Sequence, residues 1–156
     1  MSPTTVTPKA APTRVRSVFA GKWTYRSYRS LPDITVGDDA QKALSLLFGE
    51  GVMTIADGDP KAIKGSFDMG GGYVLDLRGS IKPAAGAAPA IMQVRGIGRP
   101  STLTDNWEYD YQGYLAWTWP EGVGQVPAIV GTVLRAKPHG TAKAGVVASF
   151  IATKQS

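Results

Sequence analysis

The chain has 156 residues, of which 43% are hydrophobic and 19% charged, a composition typical of one folded globular domain. The absence of cysteine excludes disulfides, thiolate metal ligands and thiol nucleophiles, and a single histidine, His139, excludes a histidine-rich metal cluster. No apolar run approaches the roughly 20 residues of a membrane-spanning helix, and the first residues lack the apolar stretch of a secretory signal. We therefore expect a cytoplasmic protein with no membrane contact, no metal and no cofactor.

The net charge of +5 is unevenly distributed along the chain. Residues 1–32 contain six basic residues and no acidic residue, whereas residues 33–156 contain 11 basic and 12 acidic residues. A nucleic-acid-binding domain needs basic side chains gathered on its folded surface, and the main body of this chain is close to neutral. We therefore expect no nucleic acid partner. We interpret residues 1–17, rich in Pro, Thr and Ala, as a disordered tail before a single domain over residues 18–156.

Short segments of β-branched and aromatic residues alternate with turns that contain glycine and proline, which indicates an all-β protein. Because closing a sheet removes its exposed edges, eight consecutive strands with short connections favour an eight-stranded up-and-down antiparallel β-barrel. A β-sandwich is the alternative. The segments predicted as strands are 20–29, 46–56, 62–69, 73–81, 91–98, 106–117, 126–137 and 145–154.

The long connection after the first strand has helical features. Residues 38–48 begin with Asp38 or Asp39 as a candidate N-cap and end at Gly49 as a candidate C-cap. We therefore predict a short helix or lid there. Residues 46–48 fit the start of the second strand equally well, and periodicity does not separate these two interpretations.

Three motifs lie at characteristic places on the predicted barrel. Gly21-Lys22-Trp23 opens the first strand, Thr104-Asp105 precedes the sixth, and Arg135 lies near the end of the seventh. In this order the chain resembles the calycin barrels, the lipocalins and avidin-like proteins. The resemblance implies an eight-stranded barrel that binds a small molecule, with Arg135 stacked on Trp23 at the closed end as a structural pair worth about 0.5 to 2 kcal/mol. Avidin's biotin-contacting residues have no counterpart here, so biotin binding is not implied.

The sixth segment, residues 106–117, is the richest in candidate site residues. Successive side chains of a strand point to opposite sides, so only one face of this segment looks into the barrel. If the aromatic face points inward, its rings and phenol hydroxyls suit a hydrophobic or aromatic small molecule, in a cavity covered by the loop over residues 31–43. Core packing by the same rings is the alternative. The candidate ligand-binding residues are Trp107, Tyr109, Tyr111, Trp117 and, at the start of the fourth strand, Tyr73.

The opposite face of the same segment supports a second hypothesis. If it points inward, Glu108 and Asp110 lie about 7 Å apart along the strand, close enough for repulsion and burial to raise one pKa. The two then act as acid and base in a cofactor-independent lyase, isomerase or cyclase, with Arg95 steadying an anionic group. The alternative is a solvated outer face.

The only histidine lies in the turn signal Lys137-Pro138-His139-Gly140, and we interpret it as a surface turn residue. No second histidine is available to build a nucleophilic triad.

The last two strands are apolar on both faces, whereas a strand that faces water alternates with polar residues. An outer patch is therefore expected to be covered by the lid or by a second copy of the chain. We predict a homodimer, or a tetramer of such dimers, built on Ile129, Val133, Val147 and Ile151 or on the alternate set.

Overall fold

A computed structural model describes residues 17–31 and 39–155 of the chain. The elements are β1 (Gly21–Arg29), α1 (Ala40–Leu44), β2 (Leu47–Ile55), β3 (Ile63–Asp68), β4 (Val74–Lys82), β5 (Ile91–Gly98), β6 (Glu108–Leu115), β7 (Ala128–Arg135) and β8 (Val147–Lys154). Each strand pairs antiparallel with the next, and β8 pairs with β1 to close the barrel. The predicted up-and-down barrel is confirmed and the sandwich alternative is wrong.

The connection between β1 and β2 is less helical than predicted. The helix α1 begins after its N-cap Asp39, whose carboxylate accepts the Lys42 backbone N–H at 3.0 Å, and it ends at Ser45. Gly49 is not its C-cap, because the chain has already entered β2, where Gly49 pairs with Ser27. Residues 32–38 of the predicted lid, and all of the predicted tail except Ser17, lie outside the described residues. No described helix is long and apolar enough to cross a bilayer.

One end of the barrel, which we call the closed end, is filled by Trp23 at the start of β1. Its buried indole N–H donates to the Phe19 carbonyl at 3.0 Å, and the Lys154 ammonium lies 5.7 Å from the ring centroid. The expected stacking of Arg135 on Trp23 is therefore wrong. Because alternate strands run in the same direction, the end of β7 lies opposite the start of β1, which places Arg135 at the other end of the barrel.

The opposite end, which we call the open end, is surrounded by the β3–β4, β5–β6 and β7–β8 connections and by the described part of the β1–β2 connection. Thr104 fixes the β5–β6 connection there: its hydroxyl donates to the Val74 carbonyl at 2.7 Å and accepts the Arg99 backbone N–H at 3.1 Å. Thr104 is fully buried, so this residue of the Thr-Asp motif has a structural role. Thr104 holds the chain just before Trp107, whose ring lies at the open end.

The apolar outer face of the last two strands differs from the predicted set. Ile129 and Val133 are buried inside the barrel, whereas Val147 and Ile151 are 42% and 45% exposed. The register explains the difference, because Val130 pairs with Ile151 and Leu134 with Val147. The apolar side chains that face outward are therefore Val130, Leu134, Val147 and Ile151.

Candidate ligand-binding site

The aromatic face of β6 points into the barrel. Tyr109 and Tyr111 are 7% and 4% exposed and belong to the core, while Gln112 and Tyr114 on the opposite face are exposed. The interior is therefore lined by aromatic residues, as the ligand-binding hypothesis requires. The enzyme hypothesis requires Glu108 and Asp110 inside the barrel, and they are not there.

The open end contains a cavity of about 210 Å³. Its walls are mainly aromatic and apolar, its polar groups are phenols, a hydroxyl, an imidazole and a guanidinium, and it has no acidic side chain among the described residues. The lining residues are Tyr25, Ser27, Phe48, Gly49, Phe67, Met69, Leu75, Trp107, Tyr109, Tyr111, Val133, Arg135 and His139.

The floor of the cavity is a cluster of aromatic rings that fills the middle of the barrel. Tyr25 packs edge-on against Phe67, with centroids 4.6 Å apart, and stacks on Phe150 at 5.1 Å. Tyr111 meets the Tyr25 ring edge-on at 6.0 Å. Between this layer and the closed end, side chains fill the interior. Core packing therefore occupies the part of the barrel toward the closed end, and the cavity occupies the part toward the open end.

The rim of the cavity is a stack of three rings from three connections. Trp107 lies between His139, whose ring is nearly parallel at 4.0 Å, and Tyr73, whose ring stacks at 5.5 Å. His139 is brought to this position by the β7–β8 turn, in which its backbone pairs with Ala142. The stack fixes the Trp107 indole at the mouth of the cavity.

A hydrogen-bonded chain links the charged group of the rim to the imidazole. The Arg135 Nε–H donates to the Tyr109 phenol oxygen at 3.2 Å, and that oxygen lies 2.7 Å from His139 Nε2. Arginine can only donate, whereas a hydroxyl oxygen has two lone pairs and one proton, so the tautomer of His139 decides which partner donates in the second hydrogen bond. The Arg135 guanidinium also lies over the Phe48 ring, 4.8 Å from its centroid.

The environment of the cavity shifts several pKa values. Burial, together with the positive charge of Arg135, lowers the pKa of His139. Burial raises the pKa of Tyr25, and burial with the neighbouring phenols raises the pKa of Tyr111 well above its usual value of 10.0. The imidazole is thus favoured in its neutral form, and the phenols keep their protons and remain hydrogen-bond donors.

Three sequence interpretations change with this geometry. His139 does lie in a turn, but its half-buried ring lines the cavity, so the surface interpretation is wrong. Tyr73 is 39% exposed and is placed behind Trp107 rather than in the lining. Trp117 is 90% exposed in the β6–β7 connection, at the closed end, because β6 stops at Leu115 and the alternation stops with it.

The structure brings Arg95, Glu108 and Asp110 together, but on the outer surface. Arg95 contacts the Asp110 carboxylate at 3.0 Å and the Glu108 carboxylate at 3.2 Å, and Lys137 lies 3.5 Å from Glu108. A shallow outer depression of about 500 Å³ includes Arg95 and Asp110. Their charges are already paired with each other, and Tyr111 is the one aromatic residue among the described residues that border the depression.

Several cavity residues were not singled out from the sequence. Tyr25 and Ser27 follow Trp23 at a spacing of two on β1 and so share its inward face, a signal that the alternation already contained. The contribution of His139 depends on how the β7–β8 connection folds over the open end, which alternation does not indicate. Phe48 lies in β2 at the register shift opposite Ser27 and Tyr28, which alternation does not indicate either. The chain matches no protein-family model, no curated protein and no solved structure.

Proposed function

We propose that this protein binds one small molecule that carries an aromatic ring, in the open-end cavity. The observation that carries the proposal is the lining: aromatic walls with a few polar groups among them. Ligand pockets are typically apolar and aromatic, with a small number of polar groups that orient the ligand. Barrels with eight strands have an interior able to hold one small ligand.

The volume of the cavity limits the ligand. At about 210 Å³ it is smaller than the roughly 300 to 1,000 Å³ of pockets for drug-sized molecules. It is larger than the roughly 150 Å³ of an engineered cavity that holds benzene. We therefore expect a ligand with one ring and a short substituent.

We also propose that the barrel is related to the calycins. The support is its arrangement: the Gly-x-Trp motif is at the closed end, Thr104 anchors the β5–β6 connection, and the cavity lies at the end opposite Trp23. The stacked cation is Lys154 on β8.

Filling the cavity tests the binding proposal. A Cβ added at Gly49 would lie 3.5 Å from the Ser27 hydroxyl and 3.9 Å from the Tyr25 ring, which is ordinary contact. The backbone thus accepts a Cβ at Gly49, which lines the cavity, and the rest of the leucine side chain in Gly49→Leu takes up cavity volume. We expect phenol, indole and benzoate to bind the unmodified protein, measured by saturation-transfer NMR, and to lose binding in Gly49→Leu.

Gly58→Leu is the matched control, because Gly58 lies in the β2–β3 turn with no atom near its added Cβ. It should bind the three probes as the unmodified protein does. The proposal fails if none of the probes binds the unmodified protein, or if Gly49→Leu, still folded by circular dichroism, binds them equally well.

A further inference from the structure

Arg135 is a half-buried cation at the cavity, and no carboxylate of residues 17–31 and 39–155 forms a salt bridge with it. The salt bridges of the described residues join Arg26 to Glu50, Arg99 to Asp76, and Arg95 and Lys137 to their outer carboxylates. Arg135 is in none of them. Its polar contacts are the Tyr109 hydroxyl and the Lys143 carbonyl, at 3.2 and 3.1 Å, and both are uncharged acceptors.

The guanidinium therefore keeps unused donors. It has five N–H groups in a planar fork, and the two contacts use one on Nε and one on Nη1. A charged group taken partly out of water is costly unless a counter-charge approaches it. The remaining N–H groups fit the two oxygens of a carboxylate, which arginine recognises through parallel hydrogen bonds.

The other polar groups of the cavity also favour a negatively charged ligand. Tyr111 is 4% exposed, lines the cavity, and its hydroxyl has no hydrogen-bond partner among the described residues. The described part of the lining contains no acidic side chain that would attract a cation. His139, whose pKa is lowered by burial and by Arg135, is neutral and adds no charge to the cavity.

Building on the proposed function, we infer that the ligand is a small aromatic carboxylate whose ring lies against the aromatic walls and whose carboxylate pairs with Arg135. One ring with one carboxylate also fits the size of the cavity. A neutral ring of the same shape leaves the guanidinium without a counter-charge, and a cationic ring is repelled by it.

Benzoate, benzamide and benzamidine test this inference, because they share one shape and differ in charge. Calorimetry with the unmodified protein should give at least tenfold tighter binding of benzoate than of benzamide, the difference expected of a charge-assisted hydrogen bond. Benzamidine should not bind detectably. Benzoate binding alone should weaken as salt is raised, since salt screens the ion pair.

Single variants test whether Arg135 causes the preference for benzoate over benzamide. Arg135→Gln should bring benzoate binding down to the level of benzamide, whereas Arg78→Gln, on the outer face of β4, should leave the preference unchanged. Tyr111→Phe removes a hydroxyl that has no described protein partner, so it should keep the fold and weaken benzoate several-fold. If Arg135→Gln does not fold, the salt dependence of benzoate binding and the affinity of Tyr111→Phe for benzoate still test the inference. Benzoate binding that changes with neither would contradict it.

The His139 imidazole gives an independent readout by NMR. Bound benzoate brings a negative charge to the rim and should raise the pKa of His139, whereas benzamide should not. If benzamide binds as tightly as benzoate and Gly49→Leu abolishes both, the cavity binds rings but the carboxylate inference is wrong. If all three fail to bind while phenol or indole binds, the inference is wrong and the proposed function stands. If phenol and indole also fail, both are wrong.

Discussion

The phenol oxygen of Tyr109 lies 2.7 Å from Nε2 of His139, so a core residue of β6 is joined directly to a turn of the rim. Partial burial and the charge of Arg135 lower the pKa of this imidazole from its ordinary 6.5. In the unfolded chain neither effect remains. The imidazole is therefore a group whose protonation opposes the native state.

The folded protein should lose stability in mild acid because of this imidazole. Above pH 6.5 the imidazole is neutral in both states, and its contribution to stability is fully present. As the pH falls below 6.5, the unfolded chain takes up a proton that the folded protein resists, so the free energy of unfolding decreases until the native pKa is passed. Urea denaturation between about pH 7.5 and 5 should show a decrease that is smaller in His139→Gln.

Arg135→Gln should raise the native pKa of His139 by removing the neighbouring positive charge. His139 is the only histidine of the chain, so its imidazole resonances can be titrated by NMR without assignment. A pKa that does not move in this variant would mean that the Arg135 charge does not act on the imidazole.

Replacing Trp23 tests the closed end. Trp23→Phe loses the indole hydrogen bond to the Phe19 carbonyl and leaves a small void, so we expect a destabilisation of about 2 kcal/mol. Trp117→Phe, at a residue that is 90% exposed, should change stability by less than about 0.5 kcal/mol. Chemical denaturation measures both, and equal effects would refute the structural role of Trp23.

The outer carboxylates should not affect binding. The double variant Glu108→Gln, Asp110→Asn removes the contacts with Arg95 and Lys137, which at a surface contribute about 1 kcal/mol or less. We expect nearly unchanged stability and unchanged affinity for benzoate by calorimetry. A large loss of affinity would move the site to the outer face of the barrel.

The outer face of β7 and β8 leads us to propose a homodimer. Val147 and Ile151 point outward and are 42% and 45% exposed, and burying apolar area of this kind is favourable by about 25 cal/mol per Å² before association costs. Val147→Lys should give a folded monomer in sedimentation, while Gly58→Lys in the β2–β3 turn, where an added Cβ meets no atom within 4 Å, should not. A monomeric unmodified protein at micromolar concentration would exclude the dimer.

The barrel could be predicted from the sequence because turns and alternation are local signals. Every predicted strand is present, with bounds within two residues of those observed, and the Trp107, Tyr109 and Tyr111 row could be placed on one face. Which face points inward depends on the whole barrel and could not be decided from β6 alone. The expected stacking of Arg135 on Trp23 conflicts with the order of the strands in the sequence, since the end of β7 and the start of β1 lie at opposite ends of an up-and-down barrel.

The components of the site that could not be predicted come from connections. His139 lines the cavity because the β7–β8 turn folds back so that its ring stacks on Trp107 at 4.0 Å. Nothing in the local pattern of Pro138 and Gly140 distinguishes such a turn from one that points into water. For the same reason Trp117, beyond the end of β6, was wrongly placed in the cavity.

The ladder between β1 and β8 joins Trp23 to Lys154 and Arg29 to Ala148, whereas all other ladders join strands that are consecutive in the chain. A growing polypeptide on the ribosome can therefore form its hairpins one after another, but it keeps two unpaired strand edges until β8 has been synthesised. Exposed edges of this kind favour association with other chains. Closure of the barrel thus waits for the synthesis of β8, and a chain truncated before residue 147 should aggregate rather than accumulate as a smaller barrel.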